Sequence, residues 1–164
     1  MTLKEQIRND LKNSLKERNE VSCSVLRFLL ASIQNKQIEN QFALSKKGTI
    51  PEDKLKEESE LNDEEVMSVI FSDVKKRKDS VLAFEKGGRQ DLVKKEKEEL
   101  EALQKYLPEQ FSEEEIKKVA EKTIKKIGAT SIKEMGKVMA EAMIELKGKA
   151  DGALVSKVIK ELLS

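Results

Sequence analysis

Histidine and tryptophan are absent from this 164-residue sequence, and cysteine occurs once, as Cys23. Without histidine, the chain lacks the commonest metal ligand and the usual general base near neutral pH. A single thiol forms neither an internal disulfide nor a thiolate zinc site within one chain. Because no histidine is available to activate Cys23 as a nucleophile, we interpret it as a structural thiol. We therefore expect no catalytic residues, no metal and no cofactor in this chain.

Long apolar runs are also absent. No stretch approaches the roughly 20 apolar residues of a membrane-spanning helix, and the N-terminus lacks the apolar core of a signal peptide. We expect no membrane association and a cytoplasmic location. The net charge is only +1, so the chain has no overall basic field. Any contact with nucleic acid must therefore be a local patch.

The residues that are plentiful favour helices. Lysine, glutamate, leucine and alanine are good helix formers, and prolines number only two. Apolar residues recur every four positions from Leu3 to Leu15, which is typical of one face of an amphipathic helix. A second, more apolar pattern runs from Val21 to about Phe42. The sequence thus predicts an all-α protein.

Two domains are expected. The N-terminal domain, residues 1–107, is predicted to consist of long antiparallel helices. Tyr106-Leu107-Pro108 marks the boundary, because proline disfavours helical geometry in the residue before it. The C-terminal domain, residues 108–164, is predicted to be a compact three-helix tail. Within the first domain the polar, acidic segment 46–61 is interpreted as a solvated, mobile connection.

Several helix ends are predicted from capping residues. A Ser or Asn side chain bonds a backbone N–H three residues on, and a Glu at that position bonds back, which forms a capping box. Glycine ends a helix because it adopts the left-handed conformation without steric cost. The predicted capping boxes are Asn62 with Glu65, Ser112 with Glu115 and Ser131 with Glu134; the predicted stops are Gly87-Gly88, Gly128 and Gly148, and Asp151 is expected to cap the last helix.

One stretch of the tail combines lysines with glycines in a pattern that suits phosphate. Exposed backbone N–H groups and lysines ahead of a helix N-terminus form a phosphate cradle. Glycine inside a helix costs about 1 kcal/mol relative to alanine, so Gly136 suggests that another backbone approaches closely there. The alternative is equally open: the glycines only turn the chain and the lysines keep it in solution. The candidate nucleic-acid-binding residues are Lys137, Lys147, Lys149, Lys157, Gly136, Gly148 and Gly152.

A second basic feature is the run Lys75-Lys76-Arg77-Lys78. Four consecutive residues point around most of a helix, so they cannot all meet one surface. A solvated helix face is the favoured interpretation. The alternative is a secondary anion or partner contact made by Arg77 together with Arg89.

These motifs resemble a known family over nearly the whole chain. The tail resembles the GatB/YqeY tail domain, and the preceding half resembles the YqeY-type N-terminal half. The acidic segment 46–61 is longer than the family pattern. The residues that carry the resemblance are Met135-Gly136-Lys137-Val138-Met139, Gly148-Lys149-Ala150-Asp151-Gly152, Lys78-Asp79-Ser80, Phe84, Gly88-Arg89, Asp91-Leu92, Glu99, Leu103 and Tyr106-Leu107-Pro108-Glu109-Gln110.

The resemblance implies a relation to the GatB subunit of the tRNA-dependent amidotransferase, a carbon–nitrogen ligase that uses glutamine as amido donor. The tail of that subunit contacts tRNA, whereas its chemistry lies in other domains. We therefore expect a tRNA-binding accessory protein without a catalytic site of its own. The alternatives are a protein-interaction or oligomerisation module that docks through the N-terminal helices, and an enzyme of transamidation in its own right.

Overall fold

The computed structural model describes all residues, 1–164, and contains eight α-helices, two short 3-10 helices and no strand. The all-helical prediction is confirmed. None of the helices combines the length and the apolar character that crossing a membrane would require. The helices are α1 (Leu3–Lys16), α2 (Glu20–Lys47), α3 (Leu55–Glu58), α4 (Asp63–Lys86), α5 (Gln90–Gln104), α6 (Glu113–Ile127), α7 (Met135–Leu146) and α8 (Gly152–Leu163), with 3-10 helices at Glu52–Lys54 and Ile132–Glu134.

The chain divides into two compact units, Met1–Tyr106 and Leu107–Ser164. In the first unit, α1 packs against α2, α4 packs against α5, and α2 contacts both α4 and α5. Its core is aliphatic: Ile7, Leu26, Leu29, Ile33 and Ile70 are fully buried. Each buried side chain of this size stabilises the fold by about 1.5–3 kcal/mol before the entropy of ordering is subtracted.

The second unit consists of α6, α7 and α8, and each of these helices packs against the other two. Its core contains Ile116, Val138, Leu146, Val155 and Ile159, all buried. Three methionines and several other aliphatic side chains, partly buried, pack around this cluster. The unit therefore has its own apolar core.

The predicted helix ends are largely confirmed. Asn62 and Glu65 form a capping box at the start of α4, as Ser112 and Glu115 do at the start of α6. Gly88, directly after the end of α4, has a φ of 69°, which lies in the left-handed region that favours glycine.

Other helix ends differ from the prediction. Glu134 bonds back to Ser131, but this box opens the short 3-10 helix that precedes α7. The second apolar pattern also continues beyond Phe42, because α2 ends only at Lys47. A helix of 28 residues is about 42 Å long.

The interpretation of 46–61 as a solvated connection is wrong. After Lys47 the segment forms a 3-10 helix and α3, and it buries Leu55, Ser59 and Leu61. The buried Ser59 donates a hydrogen bond from Oγ to the carbonyl of Lys56. Two leucines in an otherwise charged segment were enough to attach it to the first unit, because each adds apolar area removed from water.

Candidate functional site

The turn between α7 and α8 is tied to the segment that precedes α6. The backbone N–H of Phe111 donates to the carbonyl of Lys149 at 2.7 Å, and Nε2 of Gln110 donates to the carbonyl of Gly148 at 3.0 Å. The Nζ of Lys149 lies 5.6 Å from the centroid of the Phe111 ring. The turn is therefore held in place at its backbone, and Lys147 lies exposed at its beginning.

Several backbone N–H groups in and after this turn are already bonded, contrary to the prediction of an open backbone. The N–H groups of Lys149 and Ala150 both donate to the carbonyl of Leu146, at 3.0 and 3.1 Å. The N–H of Ala153, in the first turn of α8, donates to Oδ1 of Asp151 at 2.9 Å. Because a carboxylate already caps α8, its N-terminus offers little attraction for a second anion. Any binding here has to come from the lysine side chains.

The glycines predicted at the site have ordinary surroundings. Gly148 has a φ of 75°, so it turns the chain where other residues would be strained. Gly136 is exposed at the second position of α7. A Cβ built on it, or on Gly152, meets nothing within 4 Å. The expected close approach of another backbone to Gly136 is therefore wrong, since the space beside it is open.

The four predicted lysines do not converge on one point. Lys137 lies in the first turn of α7, whereas Lys147 and Lys149 follow its last turn, so they are about 15 Å apart along the helix axis. Lys157 is exposed in the middle of α8, with its Nζ 3.9 Å from Oε1 of Glu161. An i,i+4 pair of exposed side chains such as this one is worth only tenths of a kcal/mol. The predicted residues are spread over the second unit and do not form a single cradle.

A stronger basic feature lies on α6 and was not predicted from the sequence. Lys118, Lys122 and Lys125 are exposed, and at 3.6 residues per turn they fall within an arc of about 60°. We call these three residues the α6 lysine face. It points away from the buried Ile116 and Ala120 of the same helix. None of the three lysines is in an ion pair.

A neighbouring lysine of α6 has a different role. The Nζ of Lys126 forms an ion pair with Glu141 of α7, which ties the two helices together. The segment 117–126 contains five lysines and one glutamate, Glu121. Helical phasing of these charges reveals the face in the sequence, whereas the prediction for this unit starts from lysines that stand beside glycines.

Two glutamates of the second unit have lowered pKa values because they cap helices. Glu115 accepts hydrogen bonds from the backbone N–H and the hydroxyl of Ser112, and these lower its pKa. Glu134 accepts the N–H of Thr130 at 2.8 Å, which lowers its pKa likewise. Glu113 and Glu114 also lie in the first turn of α6. Negative charge thus collects in the first turn of α6, and the lysine face begins three residues after Glu115, at Lys118.

Arg77 and Arg89, which were predicted to make a secondary contact together, each pair with carboxylates of this chain. Arg77 has a side chain only 13% exposed; its Nη1 lies 3.1 Å from Glu96 and forms an ion pair with Glu99 of α5. Arg89 follows the C-terminal end of α4, just before α5, and forms an ion pair with Asp91 at 2.9 Å. That pair lowers the pKa of the Asp91 carboxyl. Arg77 therefore joins two helices and does not present its charge to a ligand.

No group of three or more His, Cys, Asp or Glu side chains is placed to hold a metal ion.

The second unit contains eleven lysines and ten acidic residues. Its charge is therefore nearly balanced, and only the segregation of the charges creates a basic surface. Such a surface attracts phosphate groups without reading base sequence.

The comparisons with known proteins agree with this architecture. The family described as Yqey-like protein matches residues 45–163, which confirms the YqeY-type part of the resemblance drawn from the motifs. A relative from Eremothecium gossypii, named altered inheritance of mitochondria protein 41, mitochondrial, is 31% identical over 102 residues. The match covers 62% of this chain and 46% of that protein. The matched region is thus about half the length of the relative.

Proposed function

The chain belongs to the YqeY-like protein family, and from this premise we propose that it is an accessory protein that binds tRNA through its second unit. The α6 lysine face is the observation that carries the proposal. Its three lysines lie within about 10 Å along the helix and have no ion-pair partner. They are free to replace the counterions of a phosphate backbone.

Lysines of the other two helices extend this surface. Lys137 and Lys157 are exposed, and Lys147 and Lys149 lie in the anchored turn that joins α7 to α8. We assign these four lysines weaker phosphate contacts, because they are spread over the unit. Beside these lysines, three glycines leave space for a phosphate group because they have no side chain: Gly136, Gly148 and Gly152. We do not assign their backbone N–H groups a role as hydrogen-bond donors.

The second unit suits a folded RNA better than a single strand. Proteins that bind single strands stack bases on exposed aromatic side chains. The only aromatic residue of the unit is Phe111, which is half-buried and lies beneath Lys149. Recognition must then come from the shape of the phosphate backbone, which favours the fixed fold of tRNA.

The same residues argue against chemistry by this chain. The α6 lysine face lies on an exposed helix surface, and its acidic neighbours Glu115 and Glu121 are exposed as well. We propose that any amide transfer related to the amidotransferase tail is performed by a partner. The single Cys23 is unpaired, which suits the reducing cytoplasm that we propose as the location.

The experiment compares binding of a tRNA transcript by the intact chain and by the triple variant Lys118→Gln, Lys122→Gln, Lys125→Gln. Glutamine keeps the helix propensity and removes the charge. At about 0.1 M salt we expect binding to weaken by about tenfold or more, since three phosphate contacts are lost. An unstructured RNA of equal length is run beside the tRNA, and we expect weaker binding to it.

The matched control removes three lysines from the first unit. Lys94, Lys95 and Lys97 are exposed on α5, and their replacement by glutamine changes the net charge by the same amount. Lys94 and Lys97 are in exposed ion pairs with Glu98 and Glu85, which contribute little to stability. We expect this control to bind tRNA nearly as tightly as the unaltered chain. Equal losses in both triple variants would mean that net charge alone governs binding, and the proposal would fail.

A further inference from the structure

A groove of about 650 Å³ runs between α1 and α2 of the first unit and is closed at one end by α3 and the residues after it. Part of its lining is apolar and is formed by Leu11, Leu30, Ala31 and Ile38. Ile38 is 53% exposed. This groove therefore offers apolar surface that the chain itself does not cover.

The charged residues of the lining are mostly cationic, and its other polar residues, Gln34, Gln37 and Gln41, are uncharged. Lys4, Arg8, Arg27 and Lys56 line the groove together with a single carboxylate, that of Glu60. Glu60 is already engaged, because its Oε1 lies 3.3 Å from Nζ of Lys4. Arg8, Arg27 and Lys56 are exposed and are in no ion pair. The groove thus has an uncompensated positive charge along an apolar channel.

A second groove continues the first towards the turn between the two helices. It has a volume of about 630 Å³ and shares Arg27 with its neighbour. It adds Leu15, Phe28 and Arg18 to the lining together with a second carboxylate, that of Glu20, and Phe28 is 56% exposed. Cationic residues still outnumber carboxylates in the combined lining. The combined feature, from Lys4 to Arg18, is the α1–α2 groove. It is about 20 Å long, or about four turns of helix.

We infer that the α1–α2 groove is a docking site for an amphipathic helix of a partner protein whose apolar stripe is flanked by Asp and Glu. The apolar stripe matches the uncovered leucines and Ile38, and an inter-helix groove is a common receptor for such a helix. Carboxylates of the flanks match the unpaired Arg8 and Arg27, since the guanidinium fork binds a carboxylate through two bonds. A phosphodiester strand has no apolar stripe to place on this lining, so a nucleic acid fits it less well.

This site lies in the first unit and does not depend on tRNA binding by the second. It gives the accessory role a second contact, through which the chain can hold a protein while the lysines of the other unit hold RNA. The binding test can therefore fail or succeed independently of the tRNA experiment.

The test uses the full chain and an 18-residue fluorescent helical peptide with leucines at i, i+3, i+4 and i+7 and glutamates on both flanks. The variant Arg8→Glu, Arg27→Glu is compared with the unaltered chain. We expect about tenfold weaker binding or more, because two attractive contacts become repulsive. A second peptide with lysine in place of each glutamate should regain affinity for this variant.

The matched control is Lys78→Glu, Lys95→Glu, which reverses two exposed charges of α4 and α5 that are in no ion pair and lie outside the groove. It should bind the glutamate peptide as the unaltered chain does, and a loss equal to that of the groove variant would overturn the inference. Failure of the unaltered chain to bind the peptide would also overturn it. A 20-nucleotide oligouridylate that binds in place of the peptide, with affinity lost in the groove variant, would assign the groove to nucleic acid instead.

Discussion

The buried ion pair between Arg77 of α4 and Glu99 of α5 leads to a quantitative prediction for the variant Arg77→Met. The side chains of Arg77 and Glu99 are only 13% and 7% exposed. Removing one partner of a buried pair costs about 3–5 kcal/mol, because the other charge is left without compensation. Glu96 is 20% exposed and can turn partly to water, so we expect the lower end, about 3 kcal/mol.

The double variant Arg77→Met, Glu99→Met distinguishes the effect of an unpaired buried charge from the effect of altered side-chain packing. Replacing both partners of a buried pair by apolar residues is often neutral or stabilising. We therefore expect the double variant to recover at least about 2 kcal/mol of the loss, which is a coupling energy in the range found for contacting residues. Strictly additive losses would refute the interpretation that the pair is buried and mutually dependent.

Urea unfolding followed by tyrosine fluorescence is the assay. Tyr106 is the only tyrosine and there is no tryptophan, so the signal reports on the first unit. Tyr106 is buried and its hydroxyl donates to Oδ2 of Asp10 at 2.6 Å. With an m-value of about 1.5 kcal/mol/M, Arg77→Met should lower the midpoint by about 2 M. A shift below about 0.5 M would contradict the expected cost.

Three further predictions concern helix ends. Ser112→Ala removes the acceptor of the Glu115 N–H and should destabilise the second unit by about 1 kcal/mol, measured by thermal unfolding followed by circular dichroism. The folded state lowers the pKa values of Glu115 and Glu134, so each ionised carboxylate stabilises the fold. This contribution to the free energy of unfolding is complete above the ordinary pKa of 4.5 and is lost as the pH falls below it. The melting temperature should therefore decline as the pH is lowered from 6 to 3, and it should decline less in the variant Glu134→Gln than in the unaltered chain. Equal declines in the two proteins would contradict a stabilising role for the ionised Glu134. Arg18 has a φ of 58°, a backbone conformation that glycine adopts more easily than other residues. The variant Arg18→Gly should therefore raise the free energy of unfolding by up to about 1 kcal/mol. A lower midpoint of urea unfolding in this variant would contradict the prediction.

Local signals in the sequence located most helix ends correctly. Asn62, Ser112 and Asp151 cap helices as predicted, because a cap depends only on residues a few positions away. The helical structure and the buried residues of segment 46–61 cannot be predicted from such local signals. Leu55 and Leu61 look isolated among charges, and only packing against other helices of the first unit shows that they are buried.

The candidate site was harder to predict than the fold. The expected role of Arg77 depended on its neighbours in the sequence, whereas its partners Glu96 and Glu99 lie on another helix. The close approach of a backbone to Gly136 is predicted from the average free-energy cost of glycine inside a helix. In the structure Gly136 lies near the start of α7 with open space beside it. The α6 lysine face was overlooked because its members are separated by three and two residues and become neighbours only on the helix.

The salt dependence of tRNA binding is the most direct test of the proposed lysine contacts. The logarithm of the association constant is measured against the logarithm of salt concentration for the unaltered chain and for the α6 triple variant. We expect a linear fall for both, with a slope smaller in magnitude by about 2–3 in the variant, as the loss of three phosphate contacts requires. Parallel lines would show that Lys118, Lys122 and Lys125 do not touch the RNA.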